Sequence, residues 1–82
     1  MNIPNNRLEK LRKDAKLSQQ QLADKIGVSQ SMIARIEAGE RDPRTDMKIK
    51  LATLFNVSVE WLFYELLYDQ RTSATGTEGS QP

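Results

Sequence analysis

Three features of this 82-residue sequence predict an all-α fold. Apolar residues return every three or four positions, no segment alternates with the period of two that a half-buried strand requires, and turn signals cut the chain into five stretches of helical length. A chain this short makes one domain and buries only roughly 60% of the surface its unfolded form exposes, so the core is expected to be small.

The first helix is expected over about residues 6–15, capped by Asn5 or Asn6 behind Pro4, with Leu8, Leu11 and Ala15 on one stripe. Ser18 opens the second, because its hydroxyl can cap while Gln21 reaches back in an S-x-x-Q capping box. Leu22, Ala23 and Ile26 are its inward residues, and Gly27 stands where a left-handed cap ends a helix. Only Val28 and Ser29 separate it from the third helix, which Ser29 caps and which turns Ile33 and Ile36 inward. Helices 2 and 3 must therefore cross sharply. Gly39 closes the third helix, and "ERDPR" supplies a turn, since Pro43 fixes its own φ and pushes Asp42 out of the helical region.

The fourth helix is expected over about residues 45–55, offering Ile49, Leu51, Ala52, Leu54 and Phe55 to the interior and Asp46 to its positive end. A fifth follows, with Ser58 as cap and "VEWLFYELLYD" apolar on more than one side. From residue 70 the chain reads "QRTSATGTEGSQP", without a large apolar residue, and disorder is expected. The division is thus a domain over 1–69 and a disordered tail over 70–82.

Composition removes whole classes of function. With no Cys and no His there are no disulfides, thiolate nucleophiles, His metal ligands or imidazole acid/base groups, and no metal or cofactor is expected. The acids Asp14, Asp24, Asp42 and Asp46 are scattered, and no Gly-rich phosphate loop accompanies them, so no catalytic residue is assigned and an enzyme is not expected. Neither a membrane-spanning run nor a signal peptide is visible, so a soluble, cytoplasmic protein is expected, with no membrane partner. Charge is uneven: residues 1–50 carry 11 Lys/Arg against 7 Asp/Glu, and residues 51–82 carry 1 against 4. A basic amino-terminal part suits a polyanion, with Lys10, Lys13, Lys16 and Lys25 adding diffuse attraction.

The informative window is 19–38. A small Ala23, a Gly27 at the turn and a shared apolar set of Leu22, Ile26, Val28, Ile33 and Ile36 describe a two-helix corner, the helix-turn-helix, whose second helix is shaped to enter the major groove. Opposite Ile33 and Ile36 lie Ser31, Ala34, Arg35 and Ala38, with Gln30 at the amino-terminal edge. Gln30 has the donor and acceptor for bidentate pairing with adenine, Arg35 can pair with guanine, and the two alanines keep the face low enough for bases to approach. Arg41 and Arg44 bracket Pro43 within reach of phosphates or a minor groove. Trp61 and Leu62 are assigned to the core. Phe63, Tyr64, Leu67 and Tyr68 then present more apolar surface than one small domain needs, which suggests self-association or a plain extension of the core.

Across "LRKDAKLSQQQLADKIGVSQSMIARIEAGERDP" and "LATLFNVSVEWLF" the chain resembles the Cro/repressor-type (Xre-like) helix-turn-helix domains of phage repressors and bacterial regulators. That resemblance implies a compact five-helix bundle of the lambda-repressor-like type, commonly dimeric on a pseudo-palindromic operator. It implies base or phosphate contacts at Gln30, Ser31 and Arg35, beside Ala34, and a phosphate anchor at Gln19. Ser18 is read first as a cap and second as a phosphate contact. It also implies a partly buried ion pair between Arg12 and Glu37, structural rather than functional. Two readings follow: a dimeric, sequence-specific repressor whose partner is an operator in double-stranded DNA, or a protein-interaction module, such as an antitoxin or regulatory antagonist, that uses the same fold.

Overall fold

Apart from the start of α4, each α-helix boundary falls where the chain offers a capping side chain or a residue in the left-handed region. A computed structural model describes residues 3–65; they form α1 (Asn6–Asp14), α2 (Gln19–Ile26), α3 (Gln30–Glu37), α4 (Thr45–Leu54) and a π-helical turn (Glu60–Tyr64). There is no strand among the described residues. The expected tail over 70–82 lies outside them, as do Leu67 and Tyr68.

Asn5 caps α1, its Oδ1 accepting from the Leu8 amide at 3.0 Å. At α2 the capping box is complete: the Gln21 amide donates to Ser18 Oγ at 3.0 Å and the Ser18 amide to Gln21 Oε1 at 2.8 Å. Ser29 caps α3 through the Met32 amide. α4 has no side-chain cap, and Ser58 Oγ accepts from the Trp61 amide at the π-helical turn. The four α-helices end at residues with positive φ, namely Lys16, Gly27, Gly39 and Asn56. At Gly27 the conformation alone calls for glycine, since a β-carbon there would meet nothing. At Gly39 space does so as well, because a β-carbon would collide with the Ile3 backbone where the amino-terminal segment crosses the end of α3.

The core is Leu8, Leu22, Ala23, Ile26, Ile33, Ile36, Leu51, Ala52, Leu62 and Phe63. α2 packs chiefly on α3, with α1 against α3 and α4 against α2. Asn5 fastens the two termini of the domain to this core: its amide donates to the Glu37 carbonyl at 2.8 Å and its side-chain Nδ2 to the Leu62 carbonyl at 3.1 Å. Arg7 lies over the Trp61 ring, 4.5 Å from its centroid, and donates to the Trp61 carbonyl.

Three expectations need correction. Ala15 is exposed at the end of α1, and the residues that α1 buries are Leu8 and Arg12. In α4, Ile49 and Leu54 are 50% and 41% exposed, and Lys48 takes an interior position. Lys48, Leu51, Ala52 and Phe55 stand at i, i+3, i+4 and i+7, so helical period outranks side-chain hydrophobicity in choosing the buried face. Phe63, expected to add free apolar surface, is buried in the core, whereas Tyr64 is about half exposed. The expected fifth helix is present, with π-helical hydrogen bonding over Glu60–Tyr64.

Candidate nucleic-acid interface

The outer face of α3 is held from behind by one hydrogen-bonded chain. Arg12, on α1, forks onto Glu37 at the end of α3: Nε donates to Oε2 at 2.7 Å and Nη2 to Oε1 at 3.1 Å. Nη1 of Arg12 donates to the Leu17 carbonyl at 2.9 Å, so the guanidinium also ties down the α1–α2 turn. The bond to Glu37 outweighs the desolvation of the buried guanidinium and raises the Arg12 pKa above its ordinary value.

From Glu37 the chain runs outward. Gln19 Nε2 donates to Glu37 Oε1 at 3.0 Å, and Gln30 Nε2 donates to Gln19 Oε1 at 2.6 Å. Three helices thus contribute one line of polar groups from the interior to the first residue of α3. Each group fixes the rotamer of the next, so Gln30 is held by Gln19, and Gln19 by a carboxylate that Arg12 immobilises.

Ser31 and Arg35 are exposed on α3, and Ala34 and Gln30 are half-buried beside them. Ser31 Oγ is 3.2 Å from Ser29 Oγ, the α3 cap. Ser18 is exposed and engaged in capping through its hydroxyl, as its box geometry requires. Arg41 and Arg44 are exposed in the α3–α4 turn, on either side of a buried Pro43. Arg35, Arg41 and Arg44 have no ion-pair partner among the described residues. Their charge is therefore available to an outside anion.

Two features escaped the sequence reasoning. The bond between Gln19 and Gln30 joins residues eleven positions apart, and no periodic signal reports such a pairing. The second is Lys48, whose Nζ donates to Asp42 Oδ1 at 3.1 Å and to the Tyr64 hydroxyl at 3.2 Å. It also lies 4.5 Å from the Tyr64 ring centroid and 5.7 Å from that of Phe63. Burial works against this ammonium, but the bonds with Tyr64 and Asp42 more than offset it and hold the pKa above the ordinary lysine value. The helical spacing of α4 was the signal that pointed to its burial.

A helix-turn-helix family model matches residues 8–62, well over half of the chain. The uncharacterized HTH-type transcriptional regulator YobD of Bacillus subtilis is 43% identical over 56 residues, covering 68% of this chain and 50% of that protein. ImmR, an HTH-type transcriptional regulator of the same organism, is 36% identical over 56 residues, covering 68% and 44%. The uncharacterized HTH-type transcriptional regulator MJ0272 of Methanocaldococcus jannaschii is 40% identical over 58 residues, 71% of this chain and 88% of the relative. The chain spans about half the length of the Bacillus relatives it matches. Among solved structures, the restriction-modification controller protein C.AhdI from Aeromonas hydrophila aligns with a TM-score of 0.63 and 34% identity, covering 72% of this chain and 86% of that one.

Proposed function

We propose, from the premise that this chain belongs to the helix-turn-helix family, a family of transcriptional regulators and not of enzymes, that it is a dimeric repressor reading a pseudo-palindromic operator through the major groove. The observation that carries the reading is the restraint on Gln30. With one N–H given to Gln19, its amide keeps one N–H and one carbonyl, the donor and acceptor that adenine N7 and N6 take in bidentate pairing. A side chain already held in place loses less entropy on binding than a free one. Arg35 reads a neighbouring base, Ser31 lies beside it, and Ala34 lets the groove floor come close. Gln19, Ser18, Arg41 and Arg44 take phosphates, which set register and orientation.

Two copies presenting α3 about 34 Å apart would enter successive major grooves on one face of the duplex, and doubling a small contact set raises affinity. Tyr64, Leu67 and Tyr68 supply the self-association. Occupying the operator excludes polymerase.

Selection of bound duplexes from a random pool tests the reading. One palindrome should be enriched, with affinity falling steeply as salt rises. Gln30→Ala and Arg35→Ala should each relax one operator position at a cost of about 1–3 kcal/mol. Recovery of no enriched sequence at any salt concentration would remove the repressor and leave the protein-interaction module in its place.

A further inference from the structure

Ile49 and Leu54, the two α4 side chains displaced from the core, are not scattered on the surface. With Ile26 at the end of α2 they line a groove of about 380 Å³, completed by Lys25, Lys50 and Thr53. α2 and α4 each contribute one ammonium to this apolar strip, and neither Lys25 nor Lys50 has an ion-pair partner among the described residues. A complementary occupant is apolar and carries two carboxylates.

The chain contains such a segment. Glu65, the last described residue, is exposed and has helical backbone angles, φ −68° and ψ −25°. Leu66, Leu67, Tyr68 and Asp69 follow it. In "ELLYD" the carboxylates are four residues apart, a spacing that in a helix puts both on one edge, about 6 Å apart along the axis. The other acid-flanked apolar run, from Glu60 to Glu65, has Leu62 and Phe63 committed to the core.

We propose that the α2/α4 groove of one copy takes up residues 65–69 of a second copy, with Leu66 against Ile26, Ile49 and Leu54, and Glu65 and Asp69 against Lys50 and Lys25. This rests on the dimer reading above and adds the receiving surface. Each copy carries both a groove and a segment, and a reciprocal exchange about a two-fold axis closes at two copies. Lys25 is six residues from Gln19, about 9 Å along α2, which leaves the amino-terminal ends of α2 and α3 open to DNA.

A charge swap on the full chain, read by sedimentation equilibrium without DNA, tests the proposal. Lys25→Glu with Lys50→Glu, and separately Glu65→Lys with Asp69→Lys, should each raise the dimer dissociation constant at least about tenfold, because acid then faces acid or base faces base. Lys25, Lys50 and Glu65 are exposed, and circular dichroism verifies that each variant folds. An equimolar mixture should regain dimerisation close to that of the unaltered chain, since both contacts of the mixed dimer again pair opposite charges. Variants that dimerise as the parent does, or a mixture no better than its parts, overturn the groove assignment and leave the dimeric repressor standing. A parent chain that is monomeric throughout the concentration range overturns both.

Discussion

Arg12 and Lys48 are both buried cations, one in the α1–α3 half of the bundle and one beneath the α3–α4 turn, and they are held in different ways. The carboxylate that faces Arg12 is itself buried, with the Glu37 side chain 6% exposed, whereas the one that faces Lys48 stays in water, with Asp42 84% exposed. In the first case two charges have left water together and depend on each other. In the second, the ammonium rests between Tyr64 and Phe63 and only touches its counter-ion at the surface. Burial of a charge therefore says little about its necessity until the burial of its partner is known.

Breaking the buried pair should give the largest effect. Glu37→Gln leaves the Arg12 guanidinium buried without a countercharge and should cost about 3–5 kcal/mol, read from the urea midpoint. Stability should fall before operator preference changes; an unaltered midpoint with DNA binding lost would show that Glu37 is a contact and not a support.

Next in size is the pair of left-handed glycines. Gly27→Ala should cost about 1–2 kcal/mol, the penalty for a β-carbon at positive φ. Gly39→Ala should cost distinctly more, since it adds a collision with the Ile3 backbone. Equal melting temperatures in the two variants would mean that the amino-terminal segment does not cross α3 in solution.

Lys48→Met should change stability by no more than about 1 kcal/mol, because an apolar isostere against two rings replaces an ion pair whose carboxylate is already hydrated. The same side chain sets an alkaline signature. Its folded pKa is raised above the ordinary 10.5, so its contribution is fully present below that value and is lost as pH climbs through the higher folded value. Unfolding curves above pH 10.5 should show a loss in the parent protein that Lys48→Met lacks in part.

The smallest effect belongs to the exposed pair of Glu9 and Lys13, 3.0 Å apart on α1. Its bond to Lys13 lowers the Glu9 pKa below the usual 4.5, so the contribution exists above that pH and fades as pH falls through the lower folded value. Glu9→Gln should flatten this acid limb slightly, and added salt should do the same to the parent.

The helix-turn-helix corner was legible because its instructions are local. Ser18 with Gln21, Gly27, Ser29 and Gly39 each act on backbone within four residues, so a reading along the chain finds them. Ile33 and Ile36 were equally clear, because neighbouring turns of one helix share one apolar side. α4 was harder to read. It lacks a capping side chain and its apolar residues outnumber the positions the core can take, so composition favoured Ile49 and Leu54 where spacing chose Lys48. Phe63 was misplaced for a related reason: in a segment apolar on several sides, nothing in the chain order tells which side faces inward.

What the sequence by itself determined is the set of helices, their caps, the tight corner and the polar character of the α3 face, since all of these follow from residues a few positions apart. Tertiary structure alone decided the polar contacts that neither local signals nor the family resemblance reports: Gln19 finds Gln30 across eleven residues and Lys48 finds Tyr64 across sixteen. The pair of Arg12 and Glu37, 25 residues apart, was implied by the resemblance and not by spacing. The physical reason is that a hydrogen bond depends on tenths of an ångström and on direction, and both are set only when three helices have packed. The chain order specifies that the α3 face is polar; packing turns it into a face with one glutamine hydrogen-bonded in place.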